Sequence, residues 1–126
     1  MDRENGHLWI IGMNEVGYIL YIELMALGTV RSVAVDLMNV FRVAVMKNAT
    51  RVITVHNHLS DRLLPSEVDK DITDRLIQVG RILNIQLIDH LIITIENYVA
   101  FKGLGLMEEL EKNLKYVPTY QCYRTN

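Results

Sequence analysis

The chain has 126 residues, 13 Lys+Arg against 15 Asp+Glu for a formal net charge of −2, and 50% apolar residues. A chain of this length buries roughly two thirds of the surface its unfolded form exposes, so one domain with its own core needs no disulfide or structural metal. The slightly acidic balance, with a pI near 6.1, argues against a broad phosphate-gripping face. The single Cys122 excludes a disulfide framework and a thiolate zinc site within one chain, and suits a reducing cytoplasm. The longest apolar stretch, Val16 to Leu27, is broken by Glu23 and falls short of the ~20 residues a bilayer span requires. The residues from Met1 to Gly6 do not read as a signal peptide.

His7 to Met13 is a short apolar run, Asn14 to Gly17 suits a turn, and Tyr18 to Met25 is rich in strand formers, so the start predicts a hairpin. Asp36 is expected to cap a helix through about Asn48, with Leu37, Val40, Phe41, Ala44 and Val45 on its apolar face. Arg51 to Val55 is β-branched, with only Arg51 and Thr54 polar, and reads as a central strand running into His56-Asn57-His58. Leu59 to Pro65 is a loop. Ser66 to Asp69 opens a second helix with Val68, Ile72, Leu76 and Val79 in its stripe and a stop near Gly80 or Asn84. Ile85 to Ile95 and Tyr98 to Phe101 are two more strands, Leu106 to Lys115 a short helix, and Tyr116 to Asn126 a tail. The order β-β-α-β-α-β-β predicts an α/β, three-layer-like sandwich with a mixed sheet and flanking helices. No repeat or low-complexity tract divides it.

His56 and His58 are two residues apart, so an extended backbone aims both imidazoles from one face while Asn57 points the other way. Eleven residues after His58 comes Asp69, in a first helical turn that favours a carboxylate. Two nitrogens and one oxygen can hold a zinc ion with a fourth position open to water, which distinguishes catalytic from structural zinc. Such a water is a nucleophile at neutral pH, and Ser66 is then a donor for the developing oxyanion. Ser66-x-x-Asp69 is also the pattern of a capping box, with Asp in place of the usual Glu or Gln, and a bare His-x-His pair is commonly structural.

His56-x-His58, seven residues, then Ser66-x-x-Asp69 resembles the motif of the JAMM (MPN+ or JAB) metalloprotease domain. The stretch from His56 to Ser60, with Pro65-Ser66, looks like the bacterial RadC branch. The resemblance runs without a gap from about His7 to Met107, including Gly28, Val35 to Phe41, Asp71 to Thr73, Leu76 and Asp89 to Ile93. A RadC-like domain over 1–107 followed by a helix end and tail over 108–126 is expected. The resemblance implies a cytidine-deaminase-like JAMM/MPN fold and a Zn2+-dependent peptidase-type hydrolase. His56, His58 and Asp69 are the implied ligands, and Ser66 the residue that steadies the tetrahedral intermediate. It also passes on a historical label of DNA repair. Full-length members often carry an N-terminal helix-hairpin-helix region, the part expected to touch DNA, which is not in this sequence. The implied partner of this domain is a peptide or protein substrate, with no direct nucleic-acid binding and no membrane.

Two departures stand out. Where the family has Pro-Ser-Gly after the histidines this chain has Leu59-Ser60-Asp61, and where the family has a Glu general base it has Gly6. Loss of that carboxylate slows proton transfer by about two to four orders of magnitude. Glu4 faces the same side as Gly6 on an extended chain, about 7 Å away, and is the candidate replacement. Glu23 is expected to reach solvent or a cation such as Arg31. Of Asp89 and His90 only one can face the site, and His90 is expected to be a satisfied structural histidine. His7 is either beside the pocket or a surface histidine on an edge strand. Tyr116, Tyr120 and Tyr123 suit a partner or subunit contact, a homo-oligomer included, better than base stacking.

Overall fold

The structure, a computed structural model, describes residues 7–26, 30–58 and 63–112. Its elements are β1 (His7–Met13), β2 (Ile19–Ala26), α1 (Val30–Met46), β3 (Arg51–Asn57), α2 (Glu67–Leu83), β4 (Gln86–Ile93), β5 (Tyr98–Ala100) and α3 (Leu106–Lys112). The five strands form one mixed sheet in the order β2-β1-β3-β4-β5, so β3 is central as expected. β1 pairs antiparallel with β2 and β3, β3 pairs parallel with β4, and β4 pairs antiparallel with β5. The α/β class, the mixed sheet and the flanking helices agree with the sequence analysis.

The hairpin forms because Asn14 Oδ1 accepts the N–H groups of Val16 and Tyr18 at 3.1 and 3.0 Å, and Gly17 takes the positive φ of 92°. The crossovers β2-α1-β3 and β3-α2-β4 step in the same direction across the sheet. Right-handed connections therefore put α1 and α2 on the same face. On that face Leu8 and Ile10 of β1, Val52, Thr54 and His56 of β3, and Leu87, His90 and Ile92 of β4 are buried. Leu37, Val40, Phe41 and Ala44 of α1 and Ile72, Leu76 and Ile77 of α2 close over them. Trp9, Leu20, Ile22 and Leu24 lie exposed on the opposite face, which no described helix covers.

Two expectations about the helices need correction. α1 begins at Val30, six residues ahead of Asp36, because no Gly or Pro between Val30 and Met46 gives the chain a reason to stop. It ends two residues early, with Asn48 in the left-handed region at φ 60°. Val45, expected in the apolar stripe, is 56% exposed, because Leu37, Val40, Phe41 and Ala44 already fill the buried arc. Of the expected stops for α2, Asn84 is the one used, at φ 59°. Gly80 serves a different purpose: a Cβ there would stand 2.2 Å from the Ile85 carbonyl oxygen, so only glycine lets β4 depart so close to the helix.

Candidate metal centre

The site is built where β3 ends and α2 begins. Alternation along β3 sends Val52, Thr54 and His56 toward α2 and leaves Asn57 on the other side, where its Oδ1 accepts the His7 N–H at 2.6 Å. His58 N–H donates to the Ile93 carbonyl at 2.9 Å, which extends the parallel pairing one residue past the strand and returns His58 to the His56 side. The two imidazoles meet edge to face with ring centroids 4.8 Å apart.

Asp69 arrives from α2. Ser66 is the N-cap: its Oγ accepts the Asp69 N–H at 3.1 Å, and the Asp69 carboxylate accepts the Ser66 N–H at 2.8 Å, a complete capping box. Ser66 Oγ also donates to Asp69 Oδ2 at 2.9 Å. The cap and the site are thus one device. The hydrogen bonds that start the helix also aim a fully buried carboxylate at the strand end. There Asp69 Oδ1 meets His56 Nδ1 and Oδ2 meets His58 Nε2 at 2.9 Å.

One ligand atom from each of His56, His58 and Asp69 lies within 4.8 Å of the others. Two imidazole nitrogens and a carboxylate oxygen, all largely buried, form a donor set that could hold a metal ion. Burial by itself would raise the Asp69 carboxyl, but the His56 hydrogen bond and charge, the Ser66 N–H and His90 overcome it, holding the group well below the usual carboxylate range. A ligand that is ionised at neutral pH fits a cation.

His90, one strand over, departs from expectation. It is fully buried opposite Thr54, and its Nδ1 lies 2.8 Å from Thr54 Oγ1 and 3.0 Å from Thr73 Oγ1. Nε2, however, has no hydrogen-bond partner and faces Asp69 Oδ1 at 4.0 Å. His90 is therefore only half satisfied, and of the pair it is the residue that faces the site. Asp89 instead accepts the N–H groups of His90 and Lys102 at 2.8 and 2.9 Å. Burial drives His90 down from 6.5 to about 3; Asp69 opposes this, and His56 and His58 add to it. Thr54 and Thr73 were missed as site residues. Their signal was polarity at core positions, Thr54 in phase with His56 and Thr73 one turn after Asp69.

The other candidates lie elsewhere. Glu4 and Gly6 fall outside the described residues, as do most of the Leu59 to Pro65 loop and the tail tyrosines. His7 is exposed, on an interior strand rather than an edge, and faces away from His56. Glu23 does not simply reach solvent: its Oε1 is buried without a hydrogen-bond partner on the same face of β2 as the Tyr21 hydroxyl, also unpartnered. The Arg31 side chain is outside the described residues. Among the described residues no helix is long and apolar enough to cross a membrane.

Comparison with known proteins agrees with this geometry. The RadC-like JAB domain family matches residues 1–106. A UPF0758 protein of Syntrophomonas wolfei is 38% identical over 106 residues, covering 84% of this chain and 44% of that protein. A UPF0758 protein of Chlorobium chlorochromatii is 31% identical over 106 residues, covering 84% of this chain and 48% of the relative. The chain spans about half the length of the curated relatives it matches. With the motif and the convergence of His56, His58 and Asp69 beside a family match over residues 1–106, the chain belongs to the RadC-like JAB domain family.

Proposed function

We propose that the chain is a zinc-dependent hydrolase domain of the peptidase type, acting on an amide or isopeptide bond in a peptide or protein. The observation that carries this reading is the convergence of His56, His58 and Asp69 within 4.8 Å at a strand end. Bound there, zinc would lower the pKa of a coordinated water to about 7 and polarise a substrate carbonyl.

The chain's own residues set the rest. The capping box aims the Asp69 carboxylate, β3 directs the His56 imidazole, and the His58 N–H bond to the Ile93 carbonyl sets His58 beside it. Ser66 is the candidate oxyanion donor, and its one hydroxyl proton is on Asp69 Oδ2, so donation to substrate requires that proton to turn away from the carboxylate. Proton transfer falls to Glu4 in the absence of a carboxylate at position 6. We place this chemistry in the cytoplasm, in keeping with the single cysteine.

A second reading, favoured by Gly6, is a noncatalytic zinc-binding module that serves DNA repair through protein contacts. A peptide library assayed by mass spectrometry separates the two. As a hydrolase, the zinc-loaded chain cleaves some member slowly, and Gly6→Glu raises the rate by about two to four orders of magnitude. No cleavage by either protein contradicts the hydrolase reading and supports the binding module.

A further inference from the structure

Asp69 is held unequally at its two oxygens. Oδ2 accepts the Ser66 N–H and the Ser66 hydroxyl at 2.8 and 2.9 Å and also lies 2.9 Å from His58 Nε2. Oδ1 meets His56, and His90 Nε2 stands 4.0 Å from it. Oδ1 is therefore the oxygen with capacity left for an ion, and His90 is the group that backs it.

Proton counting fixes what His90 presents. Thr73 Oγ1 spends its only proton on the Asp69 carbonyl at 2.8 Å, so toward His90 it can only accept. Among the described residues Thr54 Oγ1 pairs only with His90 Nδ1, at 2.8 Å. Were Nδ1 protonated, the buried Thr54 proton would have no acceptor and a bare Nε2 lone pair would face a carboxylate. With the proton on Nε2, Thr54 donates to Nδ1 and an N–H points at Asp69 Oδ1. The second tautomer sets the accept-only Thr73 Oγ1 against the Nδ1 lone pair at 3.0 Å, but the first both strands the Thr54 proton and turns the Nε2 lone pair on the Asp69 carboxylate, so the second leaves fewer buried conflicts. Phe101, with ring centroids 4.8 Å away, packs against the imidazole.

Resting on the metal-binding reading, we infer that His90 is a positioning residue for the metal ligand Asp69: anchored by Thr54, its neutral Nε2–H steadies Oδ1 for a divalent ion. A neutral donor is the right choice, because it orients the carboxylate without adding a positive charge beside the cation. His90 does not touch substrate in this role. It acts through Asp69.

Co2+ titration of the full chain, followed by visible absorption and by competition with a chromophoric chelator, tests this. His90→Leu, which keeps bulk but removes the donor, should weaken Co2+ affinity by about 10- to 100-fold. His90→Gln, whose amide can place an N–H near the Nε2 position, should recover most of that loss and restore the cobalt spectrum. Circular dichroism melts of the ion-free proteins report folding separately. If His90→Leu does not fold, Thr54→Val carries the test, with an expected loss of about 3- to 10-fold from one missing hydrogen bond. Unchanged affinity in the folded variants, or equal losses in the Leu and Gln proteins, overturns the role of His90. Wild-type protein that takes up no Co2+ overturns the metal-binding reading and this inference with it.

Discussion

The two faces of the sheet obey the same alternation and carry opposite information. On the helix-covered face, polar side chains are conspicuous: Thr54, His56 and His90 are buried among Leu8, Ile10 and Ile92, and each of the three has a specific partner. On the open face, apolar Trp9, Ile22 and Leu24 are exposed. Exposed apolar residues are ordinary on protein surfaces, whereas a buried polar group must be satisfied or must serve something. The comparison teaches that polarity in the buried phase marks the site.

That contrast can be broken at several depths. The largest effect is expected from Leu76→Ala under the helix-covered face, fully buried, which should cost about 2–5 kcal/mol. Ile22→Thr on the open face, 60% exposed, should stay within about 0.5 kcal/mol. Urea denaturation of both variants measures the difference, and similar losses would mean that the second face is covered after all. Next comes Gly80→Ala. The added Cβ meets backbone at 2.2 Å, so α2 and β4 must separate, at an expected cost of about 1–3 kcal/mol in the same assay. A neutral outcome would show that the α2–β4 junction yields freely.

The smallest effect sharpens the comparison at its margin, on the core-facing side of β2. Burial and then the Glu23 carboxylate push the Tyr21 phenol up from 10.0 to about 12. The folded protein therefore keeps this proton more tightly than the unfolded chain. The stability it contributes is fully present below pH 10 and is lost as pH rises toward 12. Denaturation midpoints between pH 9 and pH 12 should fall less steeply in Tyr21→Phe than in wild type, and parallel slopes would contradict the assignment.

Much of the fold was legible in the sequence because hydrophobic period and turn residues specify it locally. The Asn14 turn, the His56 strand and the Ser66 cap are each set by neighbouring residues. The start of α1 was not, since helices without a breaker extend until context stops them. The ligand group was legible as a spacing. The cap and the metal group had looked like alternatives, and the structure joins them in the Asp69 carboxylate. The direction of His90 was illegible because parity along β4 depends on a register shift beside Val52 and Ile53, a tertiary feature. Spacing alone cannot tell which of Asp89 and His90 faces inward.

The most direct measurement is the metal content of chain purified without added metal, by elemental analysis, beside His56→Ala and Asn57→Ala. These neighbours on β3 lie on opposite phases of one strand. The account predicts about one zinc per chain in wild type and in Asn57→Ala, and loss of the ion in His56→Ala. Equal metal in all three proteins, or none in wild type, would contradict it.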